Sequence, residues 1–195
     1  MKRTYLLLIF LFIYLSAKAQ EKSKVQLPLH DGLLSYESVV TLDSSYKAQL
    51  LYKATKTWFV NTFNSAKAVI QSEDQVNGRF LGKGGITIDA SIWTAGSITP
   101  DVRFYIQIDV KDGKYRYKIY NFHYFISDLN NNLQAHKFED GYNLYLTDKT
   151  PKGITMSRAG MNERLDKAYL SLIRNIDGLI TSLNDAMKKS KSDEF

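Results

Sequence analysis

The sequence predicts an α+β domain, an antiparallel sheet of about five strands backed on one face by two helices, in the order β-α-β-β-β-β-α. Three observations carry this reading. Residues 102–126 hold two alternating runs joined by Asp112-Gly113, the pattern of a tight β-hairpin. Residues 44–63 and 162–189 repeat apolar side chains at helical spacing. One strand-like run precedes the first helix and the others lie between the two, and helices gathered on one face of an antiparallel sheet make this architecture.

The chain opens Met1-Lys2-Arg3, continues with an apolar run of 11 residues from Tyr5 to Leu15, and reaches Ala17-Lys18-Ala19. A charged start, a short apolar run and Ala-x-Ala predict a signal peptide cleaved after Ala19. The run is shorter than the roughly 20 residues that span a bilayer, so no transmembrane anchor is expected after cleavage. Removing residues 1–19 takes away Lys2, Arg3 and Lys18 and leaves 176 residues at a formal net charge of +3 instead of +6. Much of the basicity therefore belongs to targeting. The chain has no cysteine, which excludes disulfides, thiolate metal sites and thiol nucleophiles. The expected localisation is the periplasm or the extracellular space.

Residues 20–32 read as a flexible lead-in, residues 33–189 as one domain and residues 190–195 as a tail. Leu33 to Leu42 is rich in β-branched and apolar residues and predicts the first strand. Asp43-Ser44-Ser45 offers caps for a helix to about Phe63, with Leu50 or Leu51, Ala54, Trp58 and Phe63 on its apolar face. Ala68 to Glu73 and Arg79 to Asp89 predict two strands around a turn at Val76-Asn77-Gly78. Gly82, Gly84 and Gly85 in the second imply a bulge or bend. Trp93 to Pro100 reads as a loop, and residues 127–161 carry no regular pattern. From Asn162, the residues Leu165, Tyr169, Leu172, Ile176, Leu179, Leu183 and Met187 form one stripe, more suited to a core than to a dimer seam. Gly178 within it implies a close packing contact with the sheet.

In the hairpin, a two-residue turn sets the register. Lys111 faces Lys114 beside the turn; on the apolar face Val110 faces Tyr115, Ile108 faces Tyr117, Ile106 faces Ile119 and Phe104 faces Asn121, every pair but the last apolar against apolar. The opposite face pairs Asp109 with Arg116, Gln107 with Lys118, Tyr105 with Tyr120 and Arg103 with Phe122. A slip of one residue would expose the apolar set. Continued alternation puts Tyr124 and Ile126 with Phe122, and His123 and Phe125 with the apolar set. Both faces then look aromatic at that end, as if covered there by a helix or long loop.

The apolar leader, the strand 33–42, the helix with Trp58-Phe59 and the strand with Gly82-Lys83-Gly84-Gly85 together resemble a family of exported bacterial domains, the domain of unknown function numbered 4468. The resemblance covers about Ser35 to Phe125. It implies a TATA-box-binding-protein-like fold, a curved antiparallel sheet backed by helices. It implies no activity and no catalytic residues.

Chemical motifs are sparse. His30, His123 and His136 are far apart and the His-Glu-x-x-His spacing is absent, so no metal or other cofactor is expected. Gly82-Lys83-Gly84-Gly85 lacks the spacing and following helix of a phosphate loop, and no Gly-x-Ser-x-Gly elbow occurs. Glu37, Glu73, Asp74, Asp89 and Asp109 could supply paired carboxylates, although Asp109 is more simply the partner of Arg116. A nucleic-acid partner is not expected at a net charge of +3 in an exported chain. The remaining feature is the face carrying Arg103, Tyr105, Arg116, Lys118 and Tyr120. These are the expected ligand-binding residues, and the expected partner is an envelope protein, peptide or glycan. The expected function is a non-enzymatic binding or interaction domain, with no catalytic residues. The alternative is a periplasmic hydrolase using carboxylates after Asp128.

Overall fold

A computed structural model describes residues 23–63, 69–88, 101–127, 133–149 and 157–191. The expected signal peptide, Asp89, the expected loop at 93–100 and the expected tail from residue 192 lie outside them. The strands are β1 (Leu29–His30), β2 (Leu33–Thr41), β3 (Ile70–Asp74), β4 (Arg79–Thr87), β5 (Asp101–Lys111), β6 (Lys114–Ser127) and β7 (Leu133–Lys137). The helices are α1 (Ala48–Thr62), α2 (Phe138–Leu146) and α3 (Arg158–Lys189). The sheet is antiparallel with strand order β1-β2-β6-β5-β4-β3, and β7 pairs with the far half of β6 beyond β2. The fold class is as the sequence predicts, with seven strands where about five were expected.

The two additional strands have local causes. β1 and β2 are joined by Asp31-Gly32, both at positive φ (52° and 77°), which is the type I′ hairpin turn. The Asp-Gly signal at residues 31–32 is the same one that marks residues 112–113, but only two residues precede it in strand. The lead-in is tied down before that turn. Lys24 Nζ lies 2.8 Å from Asp148, Val25 N donates to Tyr145 Oη at 2.8 Å, and Leu27 N donates to Tyr142 Oη at 2.9 Å. β7 and α2 occupy the stretch without a sequence pattern, and α2 brings Phe138, Tyr142 and Tyr145 into the core.

The β5–β6 register matches the predicted pairing from Lys111↔Lys114 to Tyr105↔Tyr120. The turn differs from type I′, because only Gly113 has positive φ (69°). Asp112 is used otherwise. Its Oδ1 accepts from Ala48 N at 2.8 Å and so caps α1 from another element. Gly113 N donates to Tyr46 O at 2.8 Å, and Leu42 N to Gly113 O at 2.7 Å. The hairpin tip is thus bonded to the β2–α1 connection. Asp43 and Ser45 form a turn of their own, with Ser45 N donating to Asp43 Oδ1 at 2.9 Å, and the helix starts later than those residues suggest.

The pairing departs from prediction beyond Tyr120. Asn121 adopts φ 59° and is an extra residue in β6, so Arg103 pairs with His123 instead of Phe122. This bulge reverses the alternation. Phe122 is fully buried, with its ring 5.3 Å from Phe104 and 6.4 Å from Phe138. Tyr124 also lies on the core side, 6.3 Å from Phe138, while His123 and Phe125 turn to the outer face. The two-sided aromatic character is therefore a bulge, with α2 covering the core side alone.

The core lies between one sheet face and the three helices. Gly82 and Gly84 face α1, and a β-carbon at Gly82 would stand 2.5 Å from the Phe59 ring. The glycines leave room for Phe59, Phe63 and Phe104 against the sheet. β4 stays in continuous register with β5, and the irregularity is in β3, between Ile70 and Ser72. Ser157 caps α3, accepting from Gly160 N at 3.3 Å, one turn before the predicted start. The α3 stripe is buried from Met161 to Met187, except that Leu179 is only partly so. Gly178 is exposed with open space around it, so the expected close contact does not exist.

Candidate functional site: the outer sheet face

The face opposite the helices is built by cross-strand rows. One runs Val39, Arg116, Asp109, Arg79, Asp74 across β2, β6, β5, β4 and β3. The next runs Glu37, Lys118, Gln107, Leu81, Ser72. A third runs Ser35, Tyr120, Tyr105, Lys83. Period-two alternation places every member of these rows on one side. All five predicted residues (Arg103, Tyr105, Arg116, Lys118 and Tyr120) lie on this face.

Most of its charge is internally paired. Asp109 accepts from Arg79 Nε at 2.6 Å, Arg116 Nη2 at 2.7 Å and Gln107 Nε2 at 2.9 Å. Lys118 Nζ lies 3.2 Å from Glu37 Oε2, and Arg116 Nη1 lies 3.9 Å from Glu37 Oε1. Arg103 Nε donates to Asp101 Oδ2 at 2.9 Å. These pairs hold the cationic side chains in fixed positions across the sheet. Burial alone would raise the Asp109 carboxyl, but the hydrogen bonds from Arg79, Arg116 and Gln107 outweigh it and hold the group below the usual carboxylate range.

The aromatic part sits beside this ladder. Tyr105 and Tyr120 are partly exposed, with ring centroids 6.0 Å apart and 30° between their planes. Lys83 Nζ lies 5.8 Å from the Tyr105 ring and Lys118 Nζ 5.8 Å from the Tyr120 ring. Arg103 Cζ lies 4.3 Å from the Phe125 ring. The sequence reading missed Lys83, Phe125, Glu37 and Arg79 as members of this face. Strand alternation and the hairpin register do not reveal which strands flank a hairpin. Phe125 was hidden by the bulge, for which a lone Asn is the only local signal.

The carboxylates offered for hydrolysis have structural work. Glu139 is buried and accepts from Leu34 N at 2.8 Å. Buried Asp166 accepts from Tyr145 Oη, and Asp148 pairs with Lys24. Both line a cleft of about 1090 Å³ between the lead-in, α2 and α3. Glu73 faces α1 and meets Lys56 Nζ at 3.0 Å, on the opposite side of the sheet from Glu37 and Asp109. Among the described residues no cluster of three or more His, Asp or Glu could hold a metal ion. Among them, too, no helix is long and apolar enough to cross a membrane.

No curated protein matches this chain. The fold is similar to that of a TBP-like protein from Parabacteroides distasonis, at TM-score 0.57 and 12% identity, covering 83% of this chain and 96% of that one. It is also similar to a DUF4468 family protein from Bacteroides ovatus, at TM-score 0.55 and 17% identity, covering 83% and 90%. At those identities the likeness concerns the fold. The family model of the domain of unknown function DUF4468, with TBP-like fold, matches residues 36–125. That span runs from β2 through α1 to the aromatic end of β6, so the segment that builds the outer face is the part that matches the DUF4468 model.

Proposed function

We propose that this chain is an exported, non-enzymatic binding domain whose outer sheet face meets an envelope protein, peptide or glycan. The observation that carries this reading is the Tyr105–Tyr120 pair, partly exposed on the face away from the helices and flanked by Lys83, Lys118 and Arg103. Tyrosines offer large, rigid contact area with few rotatable bonds, and neighbouring cations add polar anchors. The Asp109 and Glu37 pairs fix those neighbours before any partner arrives, which lowers the ordering cost of binding. The same pairing argues against nucleic acid, which requires cations free to neutralise phosphates. Export is supported by the charged start, apolar run and Ala17-Lys18-Ala19 of the leader.

The replacement Tyr105→Ala with Tyr120→Ala removes the platform and leaves the core side untouched. It is predicted to abolish binding on an array of bacterial envelope glycans and peptides, with thermal unfolding shifted by less than about 1 kcal/mol, as for surface sites. Binding that survives the double replacement in a folded protein contradicts the reading.

A further inference from the structure

We propose that two copies of this chain pair through the edge of β2, forming a two-fold dimer with one continuous sheet. The edges of the sheet are unequal. β3 is five residues long, carries Glu73 and Asp74, and has an irregularity between Ile70 and Ser72. Bulges, shortness and charge are the usual guards of an edge. From Tyr36 to Thr41 β2 has no bulge and reads Tyr-Glu-Ser-Val-Val-Thr, with Glu37 as its one charge. β1 covers β2 only at Leu33 and Leu34. Among the described residues no strand pairs with the rest of that edge.

The direction of its backbone groups follows from two hydrogen bonds. Leu42 N donates to Gly113 O at 2.7 Å, on the β6 side. Ser35 N donates to Pro28 O at 3.1 Å, on the opposite side. Residues alternate along a strand, so Val40, Ser38 and Tyr36 bond toward β6. Glu37, Val39 and Thr41 then present their N–H and C=O groups to the open edge.

This set fits a second copy of itself. With Val39 on the two-fold axis, Val39 opposes Val39, and Glu37 opposes Thr41 of the second copy on either side. Each pair exchanges two backbone hydrogen bonds, and no like charges face each other. The Val39 side chain, 59% exposed on a sheet otherwise lined by polar rows, gains an apolar neighbour. An isologous contact of this kind closes at two copies and consumes both edges. The axis stands perpendicular to the sheet, so both tyrosine-bearing faces point the same way. A partner with repeated epitopes would then be held at two points.

Val39→Pro tests this selectively. The lost N–H faces the open edge, so no bond to β6 is removed, while the central pair of the dimer cannot form. Val39→Lys places two like charges on the axis and serves if the proline variant does not fold. Sedimentation of the full chain from about 1 to about 100 μM covers the range in which a micromolar dimer dissociates. The expected result is a mass that doubles with concentration in the native chain. The dissociation constant should rise at least tenfold in whichever Val39 variant keeps the native circular dichroism spectrum, and stay unchanged in the Tyr105→Ala, Tyr120→Ala double variant. A native chain of monomer mass throughout overturns the proposal. Association undiminished in a folded Val39 variant overturns it as well.

Discussion

At the scale of single residues, Asp109 organises the outer face. Its side chain is 14% exposed and receives bonds from Arg79, Arg116 and Gln107, so replacing it leaves two guanidinium groups without their shared acceptor. Asp109→Asn is predicted to cost about 1 kcal/mol at neutral pH, the upper range for a pair near the surface, and less in 1 M salt. The folded-state carboxyl is depressed. Its contribution is therefore present above the unfolded value of about 3.9 and is lost as pH falls through the folded value. Urea melts from pH 7 to pH 2 should show the two proteins converging at the acid end. A constant gap, or none at pH 7, contradicts the role given to Asp109. The pairing of Asp109 with Arg116 was legible in the sequence because a tight turn fixes which residues oppose. The arrival of Arg79 was not, because it depends on β4 lying beside β5.

At the scale of elements, the bulge at Asn121 and the cap from Asp112 show where local patterns lose authority. Alternation in β6 would bury Phe125, but one Asn at φ 59° sends Phe122 inward and Phe125 outward. Helix α1 begins at Ala48 because its cap comes from the hairpin 64 residues away and not from Asp43 or Ser44. The α3 stripe was legible from Leu165 to Met187, since seven apolar residues at helical spacing dominate any local signal. Gly178 was not, since spacing alone cannot tell a glycine that makes room from one that makes no contact. Its surroundings are open and its backbone helical, so Gly178→Ala is predicted to stabilise the protein by about 1 kcal/mol. A thermal or denaturant melt decides this, and a loss of stability would mean that α3 packs against something at that position.

At the scale of the whole molecule, the helices close one side of the sheet with a core rich in tyrosine. Burial pushes the phenols of Tyr115, Tyr145 and Tyr169 well above their usual range, and for Tyr145 the hydrogen bond to Asp166 adds to it. Groups with a raised folded-state value favour the fold below the unfolded value of about 10 and lose that contribution as pH rises toward the folded one. Alkaline titration is predicted to leave part of the absorbance change of the 13 tyrosines until circular dichroism is lost. A complete change in a folded protein contradicts this packing. The helix-backed architecture was legible because turn, period and family resemblance agree. The ends of the sheet were not, because β1 and β7 are short and owe their places to α2 and the lead-in.

The central claim is that partners meet the face bearing Tyr105 and Tyr120. Its most direct test is a photo-reactive phenylalanine analogue at position 105 in the cell that makes the chain, compared with the same group at Lys53 on the exposed side of α1. The account predicts a discrete cross-linked species from position 105 and none from position 53. Equal labelling from both positions, or none from position 105, would contradict it.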